Sequence, residues 1–285
     1  MKTLSILILS LLCGTIFADT LYLSNNSVVK GTIISLDDTN VKIETLDGIL
    51  DVEKNRIVRG EFLGEGNELS GNLVFEFLLN GIIKDSSGSG YPIVTKSIPY
   101  TNGVFGDKKS AIQSKGEGQY FYIESSKTIN NIDNFTIAMN FYPEDTTDNR
   151  FLISNWGNTF ANGKAEGRFS ISVKGRNLVF FVVDSKGYYQ SLGAVDVLNL
   201  KQWNSVAFRF YSGQLSIYVN GKTVATSNIP ESKLSNGDWP LYFLTAKYGK
   251  DFSKYNIIGK IDNIKMYDAF LTDKELNLLY KIENM

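Results

Sequence analysis

Residues 203–225 read WNSVAFRFYSGQLSIYVNGKTVA, and this stretch predicts three consecutive antiparallel strands. Its side chains alternate with the period of two that places one set on each face of a sheet. Two pairs separate the strands, Ser212-Gly213 and Asn220-Gly221, and both suit the positive φ angles of a two-residue type I′ turn. One face of this meander must therefore be buried against a second sheet.

The composition favours a globular, strand-rich chain. Of 285 residues, 43% are hydrophobic, and the 18 Phe and 15 Tyr favour strands. The net charge is −1, which argues against nucleic-acid binding. The chain has no histidine, so a Ser-His-Asp triad, a Cys-His pair and a His-ligated zinc site are all excluded. Only carboxylate chemistry remains open to an enzyme.

Residues 1–18 have the pattern of a secretory signal peptide. Lys2 supplies the positive start, residues 4–12 supply the apolar run, and Ala18 is a small residue at a plausible cleavage site. We therefore expect an exported protein, located in the periplasm, at the cell surface or outside the cell. No later stretch is apolar and long enough to span a bilayer, so we expect no transmembrane segment in the mature chain.

A second interpretation of the same segment is a lipoprotein signal, in which Cys13 would be acylated after cleavage. Leu12 stands where that signal requires a small residue. Simple secretion is therefore the favoured interpretation, and the mature chain would then contain no cysteine.

The rest of the chain is predicted to form two domains. Residues 19–62 contain about five short strands, and their DTLYL segment resembles the small SH3-like or Sm-like β-barrels found behind signal peptides. Residues 63–71 are rich in glycine and glutamate and form the expected linker. Residues 72–285 repeat strand signals without a helical period, which predicts one large all-β sandwich or jelly roll.

Only the end of the chain is predicted to be helical. Thr272 and Glu275 have the spacing of a capping box, and Leu271 and Leu276 have that of a hydrophobic staple. This helix should dock on the sandwich.

A series of motifs in the second domain points to one family. They are LVFEF at 73–77, Gly103-x-x-Gly106, NFTIA at 134–138, WNSVA at 203–207, LSIYVNGK at 215–222, GKIDNIKMY at 259–267 and LTDKEL at 271–276. Together they resemble the laminin-G-like, concanavalin-A-like jelly-roll domains of exported bacterial proteins. The resemblance implies binding to glycans or to proteins, sometimes with a structural calcium ion, and no shared catalytic machinery.

Four aromatic residues in turn-rich segments are the candidate ligand-binding residues: Trp156, Tyr188, Tyr189 and Trp239. Exposed aromatic rings stack on the apolar faces of sugars, which is why they are nominated. The alternative for each is that its own loop buries it. Trp203, which begins a strand, is interpreted instead as a core anchor.

Asp262 is the candidate metal ligand. The resemblance places it at an acidic position that holds calcium in parts of this fold, and calcium accepts one carboxylate together with carbonyl and water oxygens. The alternative is a solvated strand carboxylate.

The function expected from these residues is non-catalytic binding of a glycan or of an envelope or extracellular protein. A structural or partner-binding role in the cell envelope is the second hypothesis. A glycoside hydrolase is the third and least favoured hypothesis. Retaining and inverting glycosidases need two carboxyl groups flanking one bond, and the strand pattern does not supply such a pair. The strands carry isolated acids such as Glu76 and Glu124, without a pair on one face.

We predict that the mature protein begins at Asp19, because cleavage is expected after Ala18. Mass spectrometry of the mature N-terminus tests this. An acylated Cys13 at the N-terminus would show that the lipoprotein interpretation is correct instead.

Overall fold

The structure is a computed structural model that describes residues 19–25, 27–36, 39–61, 69–124, 127–144, 147–157, 159–246 and 253–283. The predicted signal peptide, Cys13 and most of the predicted linker at 63–71 lie outside the described residues. The chain divides into two compact units, with the division between residues 68 and 69. None of the helices in these ranges is long and apolar enough to cross a membrane.

The first unit is a five-stranded antiparallel sheet. Its strands are Asp19–Leu23 (β1), Val28–Leu36 (β2), Asn40–Thr45 (β3), Gly48–Glu53 (β4) and Ile57–Glu61 (β5). They pair in the order β4-β3-β2-β1-β5 around a small apolar core that contains Leu21, Val41 and Ile43. The predicted strands are therefore present, whereas the closure of this sheet into a barrel stays a prediction.

The second unit contains fifteen described strands and two described α-helices. The strands are Leu73–Phe77 (β6), Ile93–Lys96 (β7), Tyr100–Thr101 (β8), Ala111–Lys115 (β9), Tyr120–Ile123 (β10), Phe135–Pro143 (β11), Arg150–Ser154 (β12), Phe169–Lys174 (β13), Asn177–Val183 (β14), Tyr189–Ala194 (β15), Asn204–Tyr211 (β16), Gln214–Val219 (β17), Lys222–Asn228 (β18), Leu241–Phe243 (β19) and Ile258–Tyr267 (β20). The helices are Lys127–Asn130 (α1) and Asp273–Glu283 (α2).

These strands form two sheets that share one core. The first has the order β15-β14-β13-β12-β19-β10-β7, and the second has the order β18-β17-β16-β11-β20-β9-β8. Strand β20 is long enough to pair with β9 through its first half and with β6 through its second half. The second sheet therefore has eight strands, and the predicted jelly-roll sandwich is confirmed.

The meander predicted at residues 203–225 is also confirmed. Strands β16, β17 and β18 pair in sequence, and the four turn residues have positive φ angles: Ser212 45°, Gly213 87°, Asn220 47° and Gly221 96°. Both turns therefore have the backbone that a type I′ hairpin requires.

Aromatic side chains fill the space between the sheets. Phe77 stacks on Phe75 with ring centroids 5.1 Å apart, and it meets Phe121 and Phe243 edge to face at 5.4 Å each. All four rings are fully buried. Truncating such a ring to alanine typically costs about 3–5 kcal/mol, so this cluster is a major source of stability.

Helix α2 covers part of the outer face of the eight-stranded sheet. Ala138 and Ala207 are small enough to admit the helix, which packs Leu276, Leu279 and Tyr280 against that face. The Tyr280 hydroxyl donates a hydrogen bond to the Val206 carbonyl. The helix predicted at the end of the chain is therefore confirmed, and it is docked as expected.

The predicted capping box closes the start of α2. The Glu275 N–H donates to Thr272 Oγ1 at 3.2 Å, and the Thr272 N–H donates to Glu275 Oε2 at 2.6 Å. Ser70 N–H donates to the other carboxylate oxygen of Glu275 at 2.6 Å. Burial alone would raise the pKa of Glu275, but the hydrogen bonds from Thr272 and Ser70 outweigh it and lower that pKa.

We predict that Glu275→Gln removes part of the acid sensitivity of the fold. A carboxyl group whose pKa is lower in the folded state stabilises the fold above its unfolded pKa of about 4.3, and this contribution is lost as the pH falls through the folded pKa. Melting temperatures of the variant should therefore fall less steeply than those of wild type below about pH 5. Glu117→Gln, in an exposed bend, is the matched control. Parallel curves for wild type and Glu275→Gln would contradict the prediction.

Candidate functional site

Two neighbouring loops of the seven-stranded sheet carry three exposed aromatic side chains. Phe160 lies between β12 and β13, Tyr188 lies between β14 and β15, and Tyr189 begins β15. Their exposed fractions are 46%, 43% and 42%. We call Phe160, Tyr188 and Tyr189 the aromatic loop cluster. Tyr188 and Tyr189 were predicted from the sequence, whereas Phe160 was missed.

Backbone hydrogen bonds join the two loops. The Ala165 N–H donates to the Gly187 carbonyl at 2.9 Å, and the Tyr189 N–H donates to the Gly163 carbonyl at 3.3 Å. Phe160 closes its own loop by donating its N–H to the Lys164 carbonyl at 2.8 Å. The loops therefore behave as a small extension of the sheet, in which the aromatic residues have fixed backbone positions.

Asp184 fixes the second loop from inside. Its side chain is 3% exposed, and its Oδ1 accepts hydrogen bonds from the N–H groups of Lys186 at 2.9 Å and Tyr188 at 3.0 Å. This is the geometry of an Asx turn, which aspartate forms readily. Gly187 has a φ of 85°, so the turn also needs a residue that tolerates the left-handed region.

Charged side chains surround the aromatic loop cluster. The Lys164 ammonium lies 5.2 Å from the centre of the Tyr188 ring, within the range of a cation–π contact. Lys186 forms a 2.5 Å ion pair with Glu231, and the hydrogen bond from Lys186 lowers the pKa of that glutamate. The cluster thus combines ring faces with both signs of charge.

Trp156 supports this cluster from below and does not present an exposed ring. It is only 5% exposed, and it meets Phe181 and Tyr189 edge to face with centroids 6.0 Å and 6.2 Å away. Its indole N–H donates to Thr159 Oγ1 at 3.1 Å. The expectation that Trp156 exposes its ring is therefore wrong. Phe181 on the outer face of β14 packs against the ring, and the Thr159 hydroxyl accepts the indole N–H.

Trp239 lies on a separate loop between β18 and β19 and is half-buried. Its ring lies so close to Gly237 that a Cβ atom there would be 2.0 Å from it. Its carbonyl accepts a hydrogen bond from Asn130 Nδ2 at 3.3 Å. Trp239 is therefore packed against its own loop, which was the alternative considered for it.

A fully buried arginine holds the loops around Trp239. The Arg168 guanidinium donates to the carbonyls of Asn130 and Ile132, the latter at 2.6 Å, and to Asn236 Oδ1 at 3.1 Å. Asp133 lies 3.6 Å away. Burial lowers the pKa of Arg168 to about 10, although Asp133 opposes this shift, so the group stays charged at neutral pH. Its role is to fasten three loops together.

Asn155 connects Arg168 to the segment that carries Trp156. The Asn155 Oδ1 accepts hydrogen bonds from the N–H groups of Arg168 at 3.0 Å and Phe169 at 2.9 Å. Its Nδ2 donates to Asn130 Oδ1 at 3.3 Å. The two tryptophan-bearing loops are therefore linked through buried polar groups rather than through a shared aromatic surface.

Trp203 was interpreted as a core anchor, and this interpretation is wrong. It is half-buried and meets Tyr142 edge to face at 5.6 Å. Tyr142 in turn lies under the Lys260 ammonium, 4.6 Å from its ring centre. Tyr142 alternates along β11 with the core residue Phe141, so this group lies on the outer face of the eight-stranded sheet.

The outer face of the seven-stranded sheet carries a second aromatic group. Tyr122 lies 5.1 Å and Tyr120 lies 6.1 Å from Tyr242, measured between ring centres. Burial raises the pKa of Tyr242 to about 12, and the two neighbouring tyrosines add to the shift. The Tyr242 hydroxyl therefore stays protonated and can donate a hydrogen bond at neutral pH.

Glu76, one of the strand carboxylates considered for catalysis, has structural partners. It is 1% exposed, lies 3.8 Å from the ammonium of Lys265, and accepts a hydrogen bond from the Ser86 hydroxyl at 3.0 Å. Glu76 and its cross-strand partner Lys265 balance each other's charge, as buried charged groups require.

Asp262, the candidate calcium ligand, is 2% exposed and accepts backbone hydrogen bonds through both oxygens. Oδ2 accepts the Val104 N–H at 3.0 Å, and Oδ1 accepts the Asn263 N–H at 2.8 Å. A Cβ atom on Gly103 would lie 2.5 Å from Oδ2, so the loop can approach only because that residue is glycine. In the described ranges, no group of three or more Asp, Glu, His or Cys side chains could hold a metal ion.

The sandwich of two sheets, with its loops at the sheet ends, defines a jelly-roll protein. The sequence profile of Laminin_G_3, described as the concanavalin A-like lectin/glucanases superfamily, matches residues 115–277, which is more than half of the chain. The chain therefore belongs to this family. No curated protein sequence matches the chain significantly.

Solved structures with a similar fold include toxin binding domains. The binding domain of Paraclostridial Mosquitocidal Protein 1 has a TM-score of 0.59 and 20% identity, over 73% of this chain and 52% of that chain. The binding domain of Botulinum Neurotoxin DC in complex with SialylT has a TM-score of 0.56 and 15% identity, over 74% and 51%. The same domain in complex with rat synaptotagmin II has a TM-score of 0.56 and 16% identity, over 74% and 51%. This chain spans about half the length of these structures, and at these identities the likeness shows the fold alone.

We predict that Asp262→Ala destabilises the protein even in the presence of a chelator. The N–H groups of Val104 and Asn263 would lose their acceptor, which typically costs about 1–3 kcal/mol for buried donors. Melting curves with chelator and with calcium test this, and Asp238→Ala, at an exposed position, is the control. Equal melting temperatures for wild type and Asp262→Ala in chelator would contradict it. Calcium stabilisation of wild type that Asp262→Ala abolishes would support the metal prediction in addition.

Proposed function

We propose that this is an exported, non-catalytic binding protein that recognises a glycan or a glycosylated partner through the aromatic loop cluster. The observation that carries the proposal is the exposure of three aromatic rings on two loops whose backbones are hydrogen-bonded to each other. Aromatic rings with fixed backbones lose little entropy on binding, which makes them effective anchors.

The chemistry of the cluster suits a saccharide. Tyrosine rings offer apolar faces to sugar C–H groups and hydroxyls to sugar oxygens. The first loop also carries the exposed polar side chains Asn162, Lys164 and Glu166, of which Lys164 lies over the Tyr188 ring, and these supply further donors and acceptors. The binding domain in complex with SialylT supports this proposal as an example of a glycan complex in the same fold.

A protein partner is the second candidate, and the first unit gives a specific reason for it. That unit leaves several apolar side chains exposed: Val28, Ile34, Leu46, Ile49 and Leu50, with exposed fractions from 46% to 101%. Three of these residues, Leu46, Ile49 and Leu50, lie within five consecutive positions of the β3–β4 hairpin, and exposed apolar patches are typical of protein-binding surfaces. On this hypothesis the protein would join an envelope or extracellular partner through its N-terminal unit.

We predict that Tyr188→Ala and Tyr189→Ala each weaken glycan binding by about 1–3 kcal/mol, as expected for lost anchors. The test is a glycan array with the full mature chain, followed by titration of the strongest hit. Phe105→Ala, which removes another exposed ring, is the matched control and should bind like wild type. Trp156→Ala should lower the melting temperature as well, because the indole is buried.

Binding that survives both tyrosine substitutions would contradict the proposal. Retention of an envelope protein that is lost only when the exposed apolar residues of the first unit are replaced would favour the second candidate. Turnover of an oligosaccharide that one carboxylate substitution abolishes would assign the protein to the glycoside hydrolases instead.

A further inference from the structure

A cleft lies where strand β16 ends beside the segment that connects β20 to α2. Its lining residues are Ser70, Asn134, Tyr211, Asp268, Ala269 and Phe270, and its volume is about 350 Å³. We call it the Tyr211 cleft. Small-molecule sites have volumes of roughly 300–1,000 Å³, so this one suits a single small ring. It belongs to the eight-stranded sheet, whereas the aromatic loop cluster belongs to the seven-stranded sheet.

Two aromatic rings form walls of the Tyr211 cleft. Tyr211 is 51% exposed, and it meets Phe270 with ring centres 6.1 Å apart and planes inclined at 65°. An edge-to-face pair leaves ring surface uncovered, which a ligand with an apolar face can occupy.

The polar groups of the cleft include both donors and acceptors. Asn134 uses its Oδ1 to accept the Ser212 N–H at 3.2 Å, so its Nδ2 group is the part that remains as a donor. Asp268 accepts two hydrogen bonds from Asn72, at 2.6 Å and 3.0 Å, and a carboxylate has lone pairs for more. Sugar hydroxyls donate and accept, so they match such a mixed set.

The wall that contains Phe270 is held in place before any ligand binds. The Ala269 carbonyl accepts the Thr136 hydroxyl at 2.6 Å, and Thr136 Oγ1 accepts the Leu271 N–H at 2.9 Å. The Arg209 guanidinium lies 4.5 Å from the Phe270 ring centre. A site preformed in this way spends little binding energy on ordering itself.

The charges around the cleft select a neutral ligand. Arg209 is buried and its charge is paired with Asp273 at 2.8 Å, so it is already neutralised. Asp268 is the carboxylate among the lining residues, and it repels an anionic group.

We infer that the Tyr211 cleft is a second binding site, specific for a neutral saccharide unit. The Tyr211 ring stacks on the apolar face of the sugar, while Asn134 and Asp268 bind its hydroxyls. This site is independent of the aromatic loop cluster, and it extends the proposed function by a second position on the opposite sheet.

Saturation-transfer NMR with the full mature chain tests the inference. The probes are methyl glucoside, methyl galactoside and N-acetylglucosamine, with N-acetylneuraminic acid as the anionic comparison. We expect at least one neutral probe to receive saturation and the anionic probe to receive less. Tyr211→Ala should weaken the binding of the neutral probe by about tenfold or more, as expected for a lost aromatic anchor.

Two variants keep the result interpretable. Asn134→Asp retains an acceptor for the Ser212 N–H but removes the amide donor, so it should also weaken binding while the melting temperature holds. Phe105→Ala, which removes an exposed ring outside both surfaces, should leave this binding unchanged.

Three results would overturn the inference: no saturation of any neutral probe, binding unaffected by both Tyr211→Ala and Asn134→Asp, or binding lost in Tyr189→Ala alone. The third would support the proposed function while removing the second site. If Tyr188→Ala and Tyr189→Ala abolish binding on the glycan array but the neutral probes still bind at the Tyr211 cleft, the two sites are shown to be separate.

Discussion

The structure depends on the burial of both faces of strand β11, at the centre of the eight-stranded sheet. Strand β11 is buried along nearly its whole length, with Phe135 and Ile137 facing the seven-stranded sheet and Ala138 facing helix α2. A sheet covered on both faces needs small residues where a helix must approach closely, and Ala138 and Ala207 meet that need. The route of the chain into α2 follows from this packing. The Tyr211 cleft is a consequence, because the connecting segment must cross the end of β16 to reach the helix.

Buried cations fasten the parts of the sandwich that the core does not reach. Arg168 binds the carbonyls of Asn130 and Ile132, and Arg209 binds the Leu271 carbonyl at 2.8 Å together with Asp273. Taking a guanidinium out of water is costly, and it is offset only when carbonyls and carboxylates replace the lost water. Arginine suits this task because its planar fork donates in several directions at once. Arg168 therefore fixes loops at one end of the sandwich, and Arg209 fixes the start of α2 on the eight-stranded sheet.

The sequence was most informative where structure is local. The turns at Ser212-Gly213 and Asn220-Gly221 and the capping box of Thr272 and Glu275 depend on residues close in the chain, and all were predicted correctly. Short strands such as β7 and β8 were missed, because their pairing partners lie elsewhere in the chain and their own pattern is too brief to show a period.

The same limit explains the errors in the candidate site. Whether Trp156 or Trp203 is buried depends on which side chains the neighbouring strands present, and those contacts span large sequence separations. Thr159 was the local signal for Trp156, since its hydroxyl accepts the indole N–H, but nothing in the sequence indicated that Phe181 and Val183 would line the outer face beside it.

The two proposed binding surfaces achieve rigidity in different ways. In the aromatic loop cluster, hydrogen bonds between loop backbones and the Asx turn of Asp184 fix the chain, and the tyrosines then need to order only two side-chain torsions each. In the Tyr211 cleft, the sheet itself fixes Tyr211, and Thr136 and Arg209 fix the opposite wall. Substitutions in the loops should therefore alter the first surface without disturbing the core. In the second surface, the wall that contains Phe270 is tied to the contacts that hold α2 on the sheet, so the sequence has more freedom to vary its ligand preference at the loops than at that wall.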